Sequence, residues 1–176
     1  MDDAVFIGGP EKRDIVIEDY DPAWTARFEQ VDAALRQALG EKACRIEHFG
    51  STAVPGLGAK GIIDVLVTVD DADDEPAYGP SLQAAGFSIR LRQPGHRMFR
   101  TPDQDVHVHV YSEGSDAARL RLLFRDWLRH NPEDRRLYED TKRELARREW
   151  EATNDYSTAK GAVVAEILGR AQRWAG

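Results

Sequence analysis

The segment from Ile62 to Val69 constrains the fold most, because it places a carboxylate inside a run of apolar side chains. The residues around Asp64 are mostly β-branched, which is typical of a strand that is buried on both faces. A buried charge is costly unless it is paired, hydrogen-bonded or bound to a metal. The pattern therefore predicts a central strand with specific partners around Asp64.

A polar, glycine-rich loop precedes this strand and follows another predicted strand at 45–49. Glycines allow backbone N–H groups to converge on an anion, and nearby hydroxyl groups add donors. A lysine close to such a loop adds a positive point charge. The loop is therefore a candidate phosphate-binding segment, with Gly50, Ser51, Thr52 and Lys60 as its binding residues.

Alternation of apolar and polar residues predicts the other strands, and apolar residues at helical spacing predict the helices. Together they indicate one α+β domain over residues 15–176, preceded by a flexible arm at residues 1–14. The predicted strands are 15–17, 45–49, 62–69, 87–92, 96–100 and 105–111, and the predicted helices are 21–40, 80–85, 116–131, 132–150 and 158–174. The strands come first along the chain, so a mixed sheet packed against helices is expected, with a C-terminal helical section.

The loop and strand around Asp64 resemble the signature segment of the GrpB family. This resemblance covers residues 15–170 and implies a nucleotidyltransferase-like fold, related to that of DNA polymerase beta. In that superfamily a Gly-Ser pair precedes a strand that carries two carboxylates. Residues 52–63 separate Ser51 from Asp64, which fits, whereas Leu66 occupies the position of the second carboxylate. The residues that carry the resemblance are His48, Gly50-Ser51-Thr52, Val54-Pro55-Gly56-Leu57, Lys60 and Ile63-Asp64.

The resemblance includes His107-Val108-His109, in a strand that the implied fold places beside the Asp64 strand. Residues two apart on a strand share a face about 7 Å apart, so both imidazoles can reach one ligand. Asp64 with two histidines suits Zn²⁺, Mn²⁺ or Fe²⁺, whereas Mg²⁺ prefers oxygen ligands. The alternative is a hydrogen-bond network without a metal.

Two C-terminal segments also resemble the family. Arg121, Arg125 and Arg129 form one stripe on a predicted helix. In one interpretation, Arg125 or Arg129 binds a phosphate or carboxylate of the substrate. In the other, the arginine stripe pairs with acidic residues of the following helix. Tyr156 and Lys160 share a helix face, and Lys160 among apolar neighbours favours a functional, catalytic role. His48 either faces the Asp64 cavity or packs in the interior.

Composition limits the partners of this 176-residue chain. Its net charge of −7 argues against a nucleic-acid partner. No apolar run approaches the roughly 18 residues of a membrane helix, and the single cysteine is compatible with a reducing cytoplasm. We therefore expect a cytoplasmic monomer or homodimer that binds a nucleotide or another anionic small molecule.

Three functional hypotheses follow from these features. The first is a nucleotidyltransferase or phosphotransferase that uses Mg²⁺, Mn²⁺ or Zn²⁺ and a small-molecule acceptor, with Asp64, His107, His109 and Lys160 as catalytic residues. The second is a catalytically degenerate module that binds a nucleotide or an anion, because Leu66 removes a carboxylate. The third is a metal enzyme of another class that uses the 2-His-1-carboxylate set.

Overall fold

The computed structural model describes residues 3–176, which form a single α+β domain. The strands in this range are β1 (Val5–Phe6), β2 (Arg45–Phe49), β3 (Ile63–Val69), β4 (Ser88–Gln93), β5 (His96–Arg100) and β6 (Val106–Ser112). The helices are α1 (Ala23–Leu39), α2 (Glu75–Ala84), α3 (Asp116–His130), α4 (Pro132–Ala146), α5 (Thr153–Ala159) and α6 (Gly161–Ala175).

The strands form one mixed sheet in the order β1-β4-β5-β6-β3-β2. The β3–β6 pair is parallel, and the other neighbouring pairs of these described strands are antiparallel. The predicted α+β class and mixed sheet are therefore confirmed. Among the helices of residues 3–176, none has the length and apolar character needed to cross a bilayer.

The main core lies between one face of the sheet and helices α1 and α2. Val65 and Val67 of β3 and Val108 and Val110 of β6 are fully buried there. Because side chains alternate along a strand, the residues between these valines must point to the other face. The apolar alternation thus places Asp64 on the opposite side of the sheet from the main core.

The C-terminal helices pack on that opposite side and hold the loop between β2 and β3. Val54 and Leu57 of this loop are fully buried against residues of α3, α4 and α6. The Asn131 side chain caps α4 by accepting a 2.8 Å hydrogen bond from the backbone N–H of Asp134. Packing with these helices therefore fixes the loop against the sheet.

The N-terminal segment differs from the flexible arm that we expected for residues 1–14, of which Met1 and Asp2 lie outside the described residues. Val5–Phe6 pairs with β4 as an edge strand. Glu11 accepts hydrogen bonds of 2.8 and 2.6 Å from Arg100. These partners are distant in sequence, so no local pattern indicated them. The expected strand at 15–17 is absent from the described structure, and Glu18 forms an isolated bridge with Ala59.

Two helix boundaries also differ from the sequence prediction. Helix α2 begins at Glu75, with Pro76 in its first turn, rather than at Pro80. The expected interruption at 154–157 lies inside α5, where the Asp155 carboxylate accepts a 3.0 Å hydrogen bond from the backbone N–H of Ala152. Polar residues that indicated a break therefore stabilise a helix N-terminus instead.

Asp134 connects three helices of the C-terminal section. Its carboxylate accepts a 2.7 Å hydrogen bond from the indole of Trp127 in α3 and bonds of 2.8 and 2.7 Å from Arg170 in α6. Asp134 is only 6% exposed. The Arg170 guanidinium is the main cause of a pKa below the ordinary value for Asp134. The ionised carboxylate therefore stabilises the packing of these helices.

We predict that Asp134→Ala lowers the free energy of unfolding by about 2–3 kcal/mol, because hydrogen bonds to a charged group are lost inside the helical section. The measurement is urea denaturation at neutral pH. Glu166→Ala is the matched control, since it removes the exposed partner of the same Arg170 and should cost less than about 0.5 kcal/mol. Equal destabilisation by the two variants would contradict this role of Asp134.

Candidate functional site

The parallel pairing of β3 with β6 brings one carboxylate and two imidazoles together. In the register of these strands, Asp64 is opposite His107 and Leu66 is opposite His109. Oδ1 of Asp64 lies 3.8 Å from Nδ1 of His107 and 3.5 Å from Nε2 of His109. The side chains of all three are between 16% and 26% exposed, so a ligand can reach them from solvent.

The separations within this cluster fit a shared metal ion. Ligand atoms of Asp64, His107 and His109 all lie within 4.8 Å of one another. A tetrahedral ion with bonds of about 2.1 Å places its ligand atoms about 3.4 Å apart, whereas direct hydrogen bonds measure about 2.7–3.2 Å. In addition, Nε2 of His107 is buried without a hydrogen-bond partner among residues 3–176. The distances are compatible with a shared metal ion.

The ionisation of the cluster also suits metal binding. Burial raises the pKa of Asp64, but contacts with His109, His107 and Lys60 outweigh burial and hold that pKa below its ordinary value. Burial lowers the pKa of His107 to about 4, although Asp64 opposes the shift. At neutral pH the carboxylate is therefore ionised and the His107 ring is neutral, which are the protonation states of metal ligands.

Gly50 brings the loop backbone directly against Asp64. Its φ of 72° and ψ of −175° lie in a region that is almost restricted to glycine. A Cβ atom at this position would lie 2.5 Å from Oδ2 of Asp64. Both the backbone conformation and the available space therefore require glycine at the start of the candidate phosphate-binding loop.

Lys142 of α4 reaches the same loop, although the sequence analysis did not identify it. Its Nζ donates hydrogen bonds of 3.0 Å to Oγ of Ser51 and 2.6 Å to the carbonyl of Gly58. Burial lowers the pKa of Lys142 to about 7, and repulsion from Lys160 and Lys60 adds to the effect. The sequence signal for Lys142 was that it shares one face of α4 with Tyr138 and Leu145. The many other charged residues of α4 obscured this pattern.

Lys60 and Lys160 approach a buried aromatic ring beside the loop. Their Nζ atoms lie 5.2 and 4.9 Å from the ring centroid of Tyr156. Burial lowers the pKa of Lys60 to about 8 and also lowers the pKa of Lys160. Buried ammonium groups that repel one another favour an anionic ligand. The hydroxyl of Tyr156 is buried and has no hydrogen-bond partner in the described part of the chain.

The structure does not bring two of the candidate phosphate-binding residues, His48 and Thr52, to the Asp64 cluster. His48 is paired with Val65 across β2 and β3, so it lies on the face of the main core. Nε2 of His48 is 2.9 Å from Oγ1 of Thr52, whose hydroxyl also donates to the carbonyl of Ile62 at 3.0 Å. These polar groups stabilise the base of the loop instead.

Arg125 and Arg129 also lie apart from Asp64 and do not pair with acids of the following helix. Arg125 bonds to Glu47 of β2 at 3.2 Å and to Asp126 at 2.9 Å. Arg129 donates a 2.9 Å hydrogen bond to the carbonyl of Ala53 in the loop. Their guanidinium groups therefore hold α3 against the sheet and the loop, and neither residue contacts the candidate metal cluster.

His96 contacts the cluster through His109, which the sequence did not predict. Its Nε2 lies 3.0 Å from Nδ1 of His109, and its ring stacks on that of Tyr111 with centroids 4.5 Å apart. The sequence placed His96 near a turn, and only the antiparallel register of β5 with β6 brings it to His109. The side chains at the site therefore extend from Asp64 through His109 to the β4–β5 hairpin.

We predict that Gly50→Ala destabilises the protein more than Gly86→Ala. Gly86 has a φ of +95° and open space where an added methyl group would lie, so its substitution should cost about 1–2 kcal/mol of backbone strain. Gly50→Ala adds the clash with Asp64, worth about 1–3 kcal/mol more. Urea denaturation of both variants measures the difference, and equal losses would show that the loop does not press on Asp64.

The family described as GrpB protein matches residues 14–170. A UPF0157 protein of Streptomyces coelicolor is 48% identical over 94% of this chain and 88% of its own length. The crystal structure of the conserved protein GrpB from Enterococcus faecalis has a TM-score of 0.79 and 32% identity, covering 90% of this chain and 99% of that chain.

The fold is also similar to that of nucleotidyltransferases. The Cid1 poly(U) polymerase with MgGTP bound has a TM-score of 0.52 and 17% identity, over 76% of this chain and 45% of that chain. At this level of identity the likeness concerns the fold. The predicted nucleotidyltransferase-like fold is thus confirmed.

Proposed function

The chain belongs to the GrpB family, and we propose that it transfers a nucleotidyl or phosphoryl group from a nucleotide to a small-molecule acceptor with one divalent metal ion. The observation that carries this proposal is a single site in which the Asp64, His107 and His109 cluster adjoins a glycine loop that is contacted by buried Lys142, with half-buried Lys60 and Lys160 nearby. A bound metal ion and the ammonium groups would together complement the negative charge of a phosphate chain.

The residues of the site have complementary roles in this proposal. Asp64, His107 and His109 hold a Zn²⁺, Mn²⁺ or Mg²⁺ ion, which supplies neutralisation of the charge that develops on the transferred phosphate. Ser51 and the ammonium groups of Lys60, Lys142 and Lys160 bind the phosphate oxygens. Lys142 already donates to Ser51, so its charge is directed at the loop before a ligand arrives.

The charge around the loop supports an anionic ligand. Burial is the main cause of the lowered pKa values of Lys142 and Lys60, and repulsion among Lys60, Lys142 and Lys160 adds to it. Glu139 lies near Lys142, but it accepts from the Gly58 N–H and pairs with Arg143 at 3.2 Å. Nearby carboxylates of the described chain therefore neutralise the positive charge of the lysines only in part. A bound polyphosphate would neutralise the rest.

One metal ion fits this site better than two. Leu66 is fully buried in an apolar cluster with Phe49 and Tyr111, so no second carboxylate lies beside Asp64 on β3. Asp105, the acid nearest to the histidines in sequence, is bonded to Arg27 at 2.8 Å and to Thr101 at 2.6 Å. Because two nitrogen ligands are present, a transition metal suits the set better than Mg²⁺.

The second candidate function is a binding module for a nucleotide or an anionic metabolite. The observation that favours it is Leu66, because two-metal transfer requires at least two carboxylates that bridge the ions. The anion site would remain intact in such a module, while chemistry would be absent. The net charge of −7 makes a small molecule a better acceptor or ligand than a nucleic acid for either candidate.

We predict that the purified protein binds one equivalent of a transition metal and that His107→Ala lowers its affinity at least about tenfold, because one ligand of the set is removed. Elemental analysis and titration with Zn²⁺ and Mn²⁺ measure this. His130→Ala is the control, since His130 is an exposed histidine at the end of α3. Metal content that is independent of His107 would contradict the metal assignment.

We also predict that a nucleoside triphosphate with Mn²⁺ or Zn²⁺ raises the melting temperature, and that Lys142→Met weakens nucleotide binding about tenfold or more. The Lys142 charge is lost as the pH rises above its pKa of about 7. Nucleotide affinity should therefore fall between pH 7 and 9, less steeply in Lys142→Met. The control is Lys42→Met, which changes a lysine that bonds to Ser81 at the protein surface.

The outcomes separate the candidates. A thermal shift that requires both nucleotide and metal, with product formed from an acceptor, supports transfer. A nucleotide shift without product supports the binding module. A bound metal with no nucleotide effect would instead favour a 2-His-1-carboxylate enzyme of another class, and the transfer proposal would be wrong.

A further inference from the structure

A chain of polar side chains leads from the β4–β5 hairpin to Asp64. Oε1 of Gln93 lies 3.2 Å from Nδ1 of His96, and Nε2 of His96 lies 3.0 Å from Nδ1 of His109. Nε2 of His109 then lies 3.5 Å from Oδ1 of Asp64. His109 is therefore contacted on both ring nitrogens, by His96 on one side and by Asp64 on the other.

Hydrogen-bond directions along this chain are coupled, because a neutral imidazole has one N–H donor and one acceptor nitrogen. His96 is only 7% exposed; its ring stacks on that of Tyr111 and is nearly parallel to that of His109, with the two histidine centroids 5.2 Å apart. In this packed position the His96 ring holds a fixed orientation. Each proton placed on one histidine therefore determines which nitrogen of the next histidine carries a proton.

Two directions are possible in principle, and Gln93 selects between them. If the Gln93 carbonyl accepts from Nδ1–H of His96, then Nε2 of His96 accepts from Nδ1–H of His109. Nε2 of His109 is then an acceptor that faces the Asp64 carboxylate. If the Gln93 amide N–H donates instead, every bond reverses and Nε2–H of His109 donates to Asp64.

In the structure Gln93 presents its carbonyl oxygen to His96. We propose that Gln93 and His96 are positioning residues that hold His109 in its Nδ1–H tautomer and so present its Nε2 as a metal ligand. The inference rests on the proposed metal site and adds the residues that prepare one of its ligands. Neither Gln93 nor His96 would contact the metal.

The relation between His109 and Asp64 supports this direction. A donor and a carboxylate usually approach to about 2.7–2.9 Å when the bond is charge-assisted, but Nε2 of His109 and Oδ1 of Asp64 are 3.5 Å apart. The longer separation is compatible with an unprotonated Nε2 on His109. The spacing thus matches a pair of metal ligands. Residues that hold a ligating histidine through its other nitrogen commonly affect metal affinity 10–100-fold.

The decisive measurement is the tautomer of His109 in the metal-free protein, from long-range ¹H–¹⁵N correlation spectra of ¹⁵N-labelled histidines. The proposal expects a protonated Nδ1 and an unprotonated Nε2 in the wild-type protein. It expects a mixture of tautomers in His96→Phe, which keeps a stacked ring but removes both nitrogens. A His109 that carries its proton on Nε2 in the wild-type protein would overturn the proposal.

Zn²⁺ titrations of Gln93 variants provide a second, independent measurement. Gln93→Met removes the carbonyl acceptor and should lower the Zn²⁺ affinity about tenfold, whereas Gln93→Glu keeps an acceptor and should retain it. Gln83→Met, on the exposed part of α2, is the matched control and should leave affinity unchanged. Equal affinities for wild type and both Gln93 variants would overturn the proposal.

These measurements distinguish a failure of this inference from a failure of the proposed function. If the wild-type protein binds no transition metal, the proposed metal chemistry is wrong, but the tautomer in the metal-free protein still decides the direction of the hydrogen bonds. If the wild-type protein binds Zn²⁺ and His109 nevertheless carries its proton on Nε2 before binding, the positioning role alone is wrong. Circular dichroism of each variant verifies that it is folded.

Discussion

The parallel pairing of β3 with β6 is the interaction on which the candidate site depends. It places Asp64 beside His107 and His109 on one face and buries the valines of both strands on the other. A shift of one residue in either strand would exchange these faces and bury the polar groups in the main core. Burial of the valines therefore fixes the register of the two strands, and the same register fixes the positions of Asp64, His107 and His109.

The C-terminal helices complete the site from the other side. Burial of Val54 and Leu57 among α3, α4 and α6 fixes the loop, and α4 brings Lys142 to Ser51. The sequence suggested Arg125 and Arg129 as candidate ligand-binding residues. In the structure their hydrogen bonds connect α3 to β2 and to the loop. The helices that fix the loop thus also bring Lys142 to the proposed anion site, so both depend on the same loop.

The departure from two-carboxylate chemistry has a physical basis in packing. Leu66 follows Asp64 by two residues, opposite His109, and is fully buried with Phe49 and Tyr111. A carboxylate there would need partners in an apolar environment, which the surrounding residues do not offer. The chain retains the nucleotidyltransferase-like fold, and its candidate metal-ligand set combines the Asp64 carboxylate with two histidine nitrogens. This difference directs the proposed chemistry toward one transition metal.

Local patterns in the sequence determined the central strands, the faces of β3 and β6, and the candidacy of Asp64, Ser51, Lys60 and Lys160, because alternation and loop chemistry depend on neighbouring residues. They did not reveal the roles of Lys142, His96 or the N-terminal strand, and the structure does not bring His48, Thr52, Arg125 or Arg129 to the Asp64 cluster. Those residues meet their partners through strand register or helix packing between distant segments. Only the tertiary structure decides such contacts, since side chains that look alike along the chain differ in which surface buries them.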